Sequence, residues 1–156
     1  MDPSDLLDDP RITLMGLFVE AYGEVMREVA AQERDHGLAV AEFDVLLRLS
    51  RSPGRRLRIS DLCLQTGLTS GGMTRLVDRL AAREFVERGV DPADRRVVLA
   101  RLTEAGTTKV AEVLPGHLDI LERTLTRPLP DADRDALAAA LRKIRDNAVR
   151  TRSATA

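Results

Sequence analysis

The chain has 156 residues, 44% of them hydrophobic and 31% charged, with a formal net charge of −1. That profile fits one folded domain and excludes both a disordered tract and a pair of independent catalytic domains. The opening segment is acidic where a secretory signal is basic, and no apolar run approaches the ~18 residues of a membrane span, so a cytoplasmic protein without a membrane partner is expected.

The small total charge hides an uneven distribution. Residues 51–101 contain 11 arginines against 6 acidic side chains, a net +5, which leaves −6 for the remainder. A basic segment inside an acidic frame is what a nucleic-acid partner requires.

Residues 1–10 contain Pro3 and Pro10 and show no periodicity, so they read as a mobile N-terminal arm. Residues 11–50 read as N-terminal helices for dimerisation and support. Over 12–34, Leu14, Leu17, Phe18, Ala21, Tyr22, Val25, Met26 and Val29 recur at helical spacing, in a stripe wide enough for two partners. A second helix over 40–49 turns Phe43, Leu46 and Leu47 inward and stops before Ser52-Pro53-Gly54.

Residues 51–102 have a different rhythm. Leu57 and Ile59 suit a short strand, Ser60 is placed to cap a helix over 61–66, and Gly67 ends it. Thr69 or Ser70 then caps a helix to about 83. Two runs, 85–90 and 97–102, flank a charged tip at 91–96 and predict a β-hairpin. In residues 103–156, Thr103-Glu104 caps a long helix with Val110, Val113, Leu114, Leu118 and Leu121 on its apolar side, and after Pro128 and Pro130 a last helix from about Asp131 carries Leu137, Leu141 and Ile144.

In the helix from Thr69, Met73, Leu76, Val77 and Leu80 share one face, while Ser70, Gly71, Thr74, Arg75, Asp78 and Arg79 occupy the other. Small residues followed by hydroxyl and guanidinium groups suit a helix entering the major groove N-terminus first. An ordinary amphipathic helix with a solvated outer face would show the same pattern. The short helix before it and the Arg-rich hairpin after it favour the DNA reading.

Residues of about 55–106 resemble the winged-helix core of the multiple antibiotic resistance regulator (MarR) family. The likeness runs through Ile59-Ser60-Asp61-Leu62, Gly67-Leu68-Thr69, the stretch from Met73 to Leu80, Val86-Glu87-Arg88, the stretch from Asp91 to Arg96, and Leu102-Thr103-Glu104-Ala105-Gly106. It implies a mainly α (α+β) fold, a winged helix-turn-helix with N- and C-terminal dimerisation helices. It also implies a homodimer on a pseudo-palindromic operator in double-stranded DNA, acting as a repressor and released by a small apolar, aromatic or anionic effector. By the same resemblance the helix over 69–83 reads bases, Arg96 enters the minor groove with Asp94 orienting it, and Arg95 lies near a phosphate. One departure is Glu84, where the family has a glycine that tolerates positive φ.

Phe18, Tyr22, His36 and Phe43 are candidates for an effector-pocket wall, with plain core packing as the competing reading. Cys63 reads as a small core hydrophobe. His36 and His117 lack metal-ligand spacing, so no metal is expected. No phosphate loop or nucleophile motif is present, and neither a cofactor nor an enzymatic activity is expected. The competing function is a winged-helix module that docks on a protein and has lost DNA binding; Arg75, Arg79, Arg95 and Arg96 disfavour it.

Overall fold

The computed structural model describes residues 6–155, with side chains described to residue 151. Part of the expected N-terminal arm, residues 1–5, lies outside the described residues. Two compact units are present: residues 26–118, and the segments up to 25 and from 119 onward.

Helix α1 (Pro10–Asp35) opens on the proline that the sequence assigns to the arm. Proline is tolerated there because its missing N–H would be unpaired in a first turn anyway, and the Asp9 carboxylate accepts the next amide, Arg11 N–H, at 2.8 Å.

The unit over 26–118 contains the end of α1, α2 (Val40–Ser50), a 3-10 turn at Pro53–Arg55, β1 (Arg56–Arg58), α3 (Ile59–Thr66), α4 (Ser70–Ala82), β2 (Val86–Val90), β3 (Val98–Leu102) and most of α5 (Glu104–Leu121). The three strands form an antiparallel sheet in the order β1-β3-β2. Ala100 at its centre pairs with Leu57 on one side and Arg88 on the other. Phe43, Leu46 and Leu49 of α2, Leu62 of α3, Met73, Val77 and Leu80 of α4, Ala100 of β3 and Val113 of α5 are all buried in one core. Each large side chain among them contributes about 1.5–3 kcal/mol relative to exposure, which fixes α4 on α2 and α3.

Two local details differ from the sequence reading. Ser60 is not the cap of α3: Arg58 holds the N-cap position in extended backbone, with no side-chain cap bond. The cause is tertiary, because Arg58 pairs with Leu99 and the chain passes straight from strand into helix. The first hairpin strand starts at Val86, since the Phe85 amide is used to close the preceding helix on Leu80 O at 3.0 Å. Gly67 does end α3 as expected, at φ 74°, with its N–H on Cys63 O. Gly106, in the first turn of α5, is required for a different reason. A Cβ there would overlap the Phe85 carbonyl, so only glycine lets α5 lie against the hairpin.

In the other unit, α5 ends and continues through a π turn at Glu122–Thr126 before α6 (Asp131–Thr155). The α1 side chains Ile12, Leu14, Met15, Leu17, Phe18, Val19 and Tyr22 are all more than half exposed, and Leu137, Leu141 and Ile144 of α6 are exposed as well. Apolar faces of that size are unusual on a monomer surface.

Candidate nucleic-acid interface

Helix α4 is set by its two ends. At the start, the Thr69 hydroxyl accepts the Gly72 N–H at 3.2 Å, which pairs one of the orphan first-turn amides. Ser70, Gly71, Arg75 and Arg79 are exposed and Thr74 is half-buried, while Met73, Leu76, Val77 and Leu80 are buried. The predicted split between an outer polar face and an inner apolar face is therefore present. A Cβ at Gly71 would meet open space, so the backbone of this first turn is open to close approach.

At the other end the helix leaves through Glu84, which has φ 59°. The position at which a glycine was missed does adopt the left-handed conformation. Its carbonyl is held by the Thr103 hydroxyl at 2.6 Å.

The loop between β2 and β3 is built from local bonds. Asp91 N–H donates to Val97 O and Val97 N–H to Asp94 O, both at 2.9 Å, and the Asp91 carboxylate accepts Ala93 N–H at 2.9 Å. At its tip the Asp94 carboxylate accepts three donors from Arg96: the backbone N–H at 3.0 Å, Nε at 3.0 Å and Nη2 at 3.1 Å. The pair is bidentate, and the Arg96 side chain is 91% exposed. The Arg96 hydrogen bonds hold the Asp94 carboxyl below its ordinary range, with Arg58 adding to the shift. A fork held this way loses less entropy on entering a narrow groove than a free arginine does. Arg95 beside it is exposed.

Sequence reasoning missed three participants. Arg58 lies 3.7 Å from Asp91 and is felt by Asp94, which adds a cation at the base of the hairpin. Arg88 of β2 reaches Asp78 of α4 at 2.5 Å, tying helix to sheet. Glu42 of α2, buried in the lobe, accepts from both Arg79 and Arg83 of α4. All three depend on tertiary proximity, and only Glu42 had a local signal, as the third residue of its helix, where a carboxylate reaches back to the Ala39 N–H.

The four candidate effector residues fall in different settings. Phe18 and Tyr22 are exposed on α1. His36 Nδ1 lies 3.0 Å from Glu112 Oε1, and this contact, followed by Lys109, holds the Glu112 carboxyl below its usual range. Phe43 is buried in the core, its ring 5.1 Å from the His117 ring. Cys63 is half-buried against the same core. Among the described residues no three His, Cys, Asp or Glu side chains cluster as metal ligands would, and no helix is long and apolar enough to cross a membrane.

Residues 36–97 match the model of the MarR family. The chain is 31% identical over 133 residues, 85% of its own length and 84% of the relative's, to the HTH-type transcriptional regulator YkoM of Bacillus subtilis. The chain belongs to the MarR family. Two solved structures extend the comparison. The MarR-family regulator Sco3205 of Streptomyces coelicolor, solved in complex with DNA, superposes with a TM-score of 0.79 at 26% identity, covering 86% of this chain and 85% of that one. BpsR of Bordetella bronchiseptica, whose DNA binding is regulated by 6-hydroxynicotinic acid, superposes with a TM-score of 0.72 at 30% identity, covering 84% of this chain and 91% of that one. The chain thus has the winged helix-turn-helix fold of a MarR-family DNA-binding transcription regulator, with the β2–β3 hairpin in the position of the wing.

Proposed function

We propose that this regulator represses transcription as a homodimer on a pseudo-palindromic operator, and that a small ligand releases it. The observation that carries the DNA contact is the Asp94–Arg96 fork, an arginine fixed by two side-chain hydrogen bonds and its own backbone yet projecting almost wholly into solvent. A surface ion pair made for stability alone gains little; one presented at the tip of a wing suits the negative potential of a minor groove. Ser70, Gly71, Thr74, Arg75 and Arg79 on α4 supply the major-groove contacts, and Arg95 supplies a phosphate contact.

The exposed apolar faces of α1 and α6 support dimerisation, because a second copy buries them in the commonest closed symmetry. Repression is supported by relatives named as repressors. Release by a small apolar, aromatic or anionic effector is supported by the behaviour of BpsR; Phe18, Tyr22, His36 and Phe43 are the side chains to probe, each by itself. The protein acts by binding rather than catalysis, in the cytoplasm where its operator lies.

Selection of bound duplexes from a randomised pool tests this reading. A palindromic consensus with half-sites about one helical turn apart is the expected result. No enrichment over the input pool would contradict it.

A further inference from the structure

Helix α4 carries two arginines that converge on one carboxylate from another helix. Glu42, only 7% exposed, accepts Arg79 Nε on Oε1 at 3.2 Å and Arg83 Nη1 on Oε2 at 3.4 Å, while Oε2 also takes the Ala39 N–H at 3.1 Å. The acceptor is fixed before either arginine arrives, because it caps its own helix and sits against the core. Arg79 is then held at a second point, Nη1 on the Arg75 carbonyl at 3.4 Å. Its side chain is nevertheless 57% exposed, and neither of these contacts uses Nη2. Arg83 is confined differently, its guanidinium carbon 4.8 Å from the centre of the Phe85 ring.

From these contacts we infer that Glu42 is a positioning residue for DNA specificity: it fixes the Arg79 fork in one setting, so that Arg79 discriminates among duplexes instead of only attracting phosphates. This rests on the proposed DNA-binding function and on Arg79 facing the duplex. A long arginine free in solvent samples many rotamers and can satisfy many sequences equally. One anchored at Nε presents its remaining N–H groups in a fixed fork, and that geometry is what gives arginine bidentate selectivity. Glu42 also places a negative charge near the duplex, which opposes non-specific attraction. Fixing the fork raises the ratio of specific to non-specific affinity, while the charge lowers affinity for every duplex alike.

The two effects separate Glu42 from a purely structural brace. Loss of a brace lowers stability and weakens binding to all duplexes alike. Loss of a positioning carboxylate leaves affinity for a scrambled duplex equal or higher, because one negative charge is gone, while affinity for the preferred duplex falls.

The test measures affinity of the full chain for the best duplex from a randomised pool and for a scrambled duplex of equal composition. Proteins are wild type, Glu42→Gln, Arg79→Ala, Arg79→Lys and the Glu42→Gln/Arg79→Ala double variant, each checked by thermal melting. The expected result for Glu42→Gln is a specificity ratio lowered about ten-fold, with no further loss when it is added to Arg79→Ala. Arg79→Lys, which keeps the charge but not the fork and leaves the core untouched, should lose the ratio as far as Arg79→Ala does. If Glu42→Gln does not fold, that second comparison still tests the fork on which the inference depends, and a full ratio there overturns it. An unchanged ratio in folded Glu42→Gln, an equal loss in the Arg79→Ala background, or a full ratio in Arg79→Lys overturns the inference. If wild type itself binds neither duplex, the DNA-binding function fails along with it.

Discussion

The Thr103 hydroxyl is shared between two structural tasks that meet at Glu84: it donates to the Glu84 carbonyl at 2.6 Å and accepts the Gly106 N–H at 3.0 Å. One side chain thus caps α5 and braces the left-handed residue by which α4 passes into the β2–β3 hairpin. Non-glycine residues in that conformation cost of order 1 kcal/mol or more.

Glu84→Gly should therefore stabilise the protein by up to about 1 kcal/mol, seen as a rise of about 2–4 °C in melting temperature. Thr103→Ala should destabilise it by about 1–2 kcal/mol, since the cap and the brace are lost together. Calorimetry of the two variants checks both signs; a destabilised Glu84→Gly would mean that the glutamate is not strained.

This junction also shows what could be read from the sequence. Gly67, the Thr69 cap and the apolar period of α4 are local signals, and each appears where the residues indicate. The hairpin was legible too, from two strand-like runs around a charged tip, while the Asp94–Arg96 pair was expected from the family resemblance. The start of the first wing strand was not, since Phe85 N–H is diverted to Leu80 O by the helix ending. Neither was the Glu42–Arg79 contact, which joins residues 37 positions apart. The membership of β1 in the sheet depends on pairing with β3, more than 40 residues on, and a three-residue strand carries no period that would announce it.

At the wing, Arg96→Ala should weaken binding to the selected duplex by about one to two orders of magnitude, with the melting temperature unchanged because the tip is outside the core. Asp94→Ala should give a smaller loss in the same direction, and the double variant should fall short of the sum, as for two residues acting as one unit. Fluorescence anisotropy measures all three. Wild-type affinity for Arg96→Ala would leave the wing as a solvated loop without a DNA role.

A pH effect is expected from the interior. Glu33 and His117 lie 3.5 Å apart, with Glu33 Oε2 and His117 Nδ1 both buried and lacking a hydrogen-bond partner. An ion pair would lower the acid and raise the base, yet burial, followed by Asp44, pushes the Glu33 carboxyl up to about 7, and burial pushes His117 down from 6.5. Desolvation outweighs the mutual attraction, so burial favours the neutral form of each group.

For Glu33 the folded state binds its proton more tightly than the unfolded chain. Its contribution to stability is full below the ordinary value of 4.5 and is lost as pH rises to about 7. His117 runs the other way, its contribution being lost as pH falls below 6.5. Urea unfolding of wild type and Glu33→Gln isolates the first effect. The stability advantage of Glu33→Gln should grow from about pH 4.5 to about pH 7 and then level off. A difference that does not change with pH would show that Glu33 binds its proton equally well folded and unfolded, contrary to a burial-driven rise.

The most direct test of the account is a titration of the selected duplex with the protein at several salt concentrations, read by anisotropy together with the mass of the complex. Two chains should bind each duplex, and with ~6–10 phosphate contacts the affinity should fall by about 10³–10⁵ between ~50 and ~200 mM salt. A single bound chain, or an affinity indifferent to salt, would contradict a dimer that grips DNA through α4 and the wing.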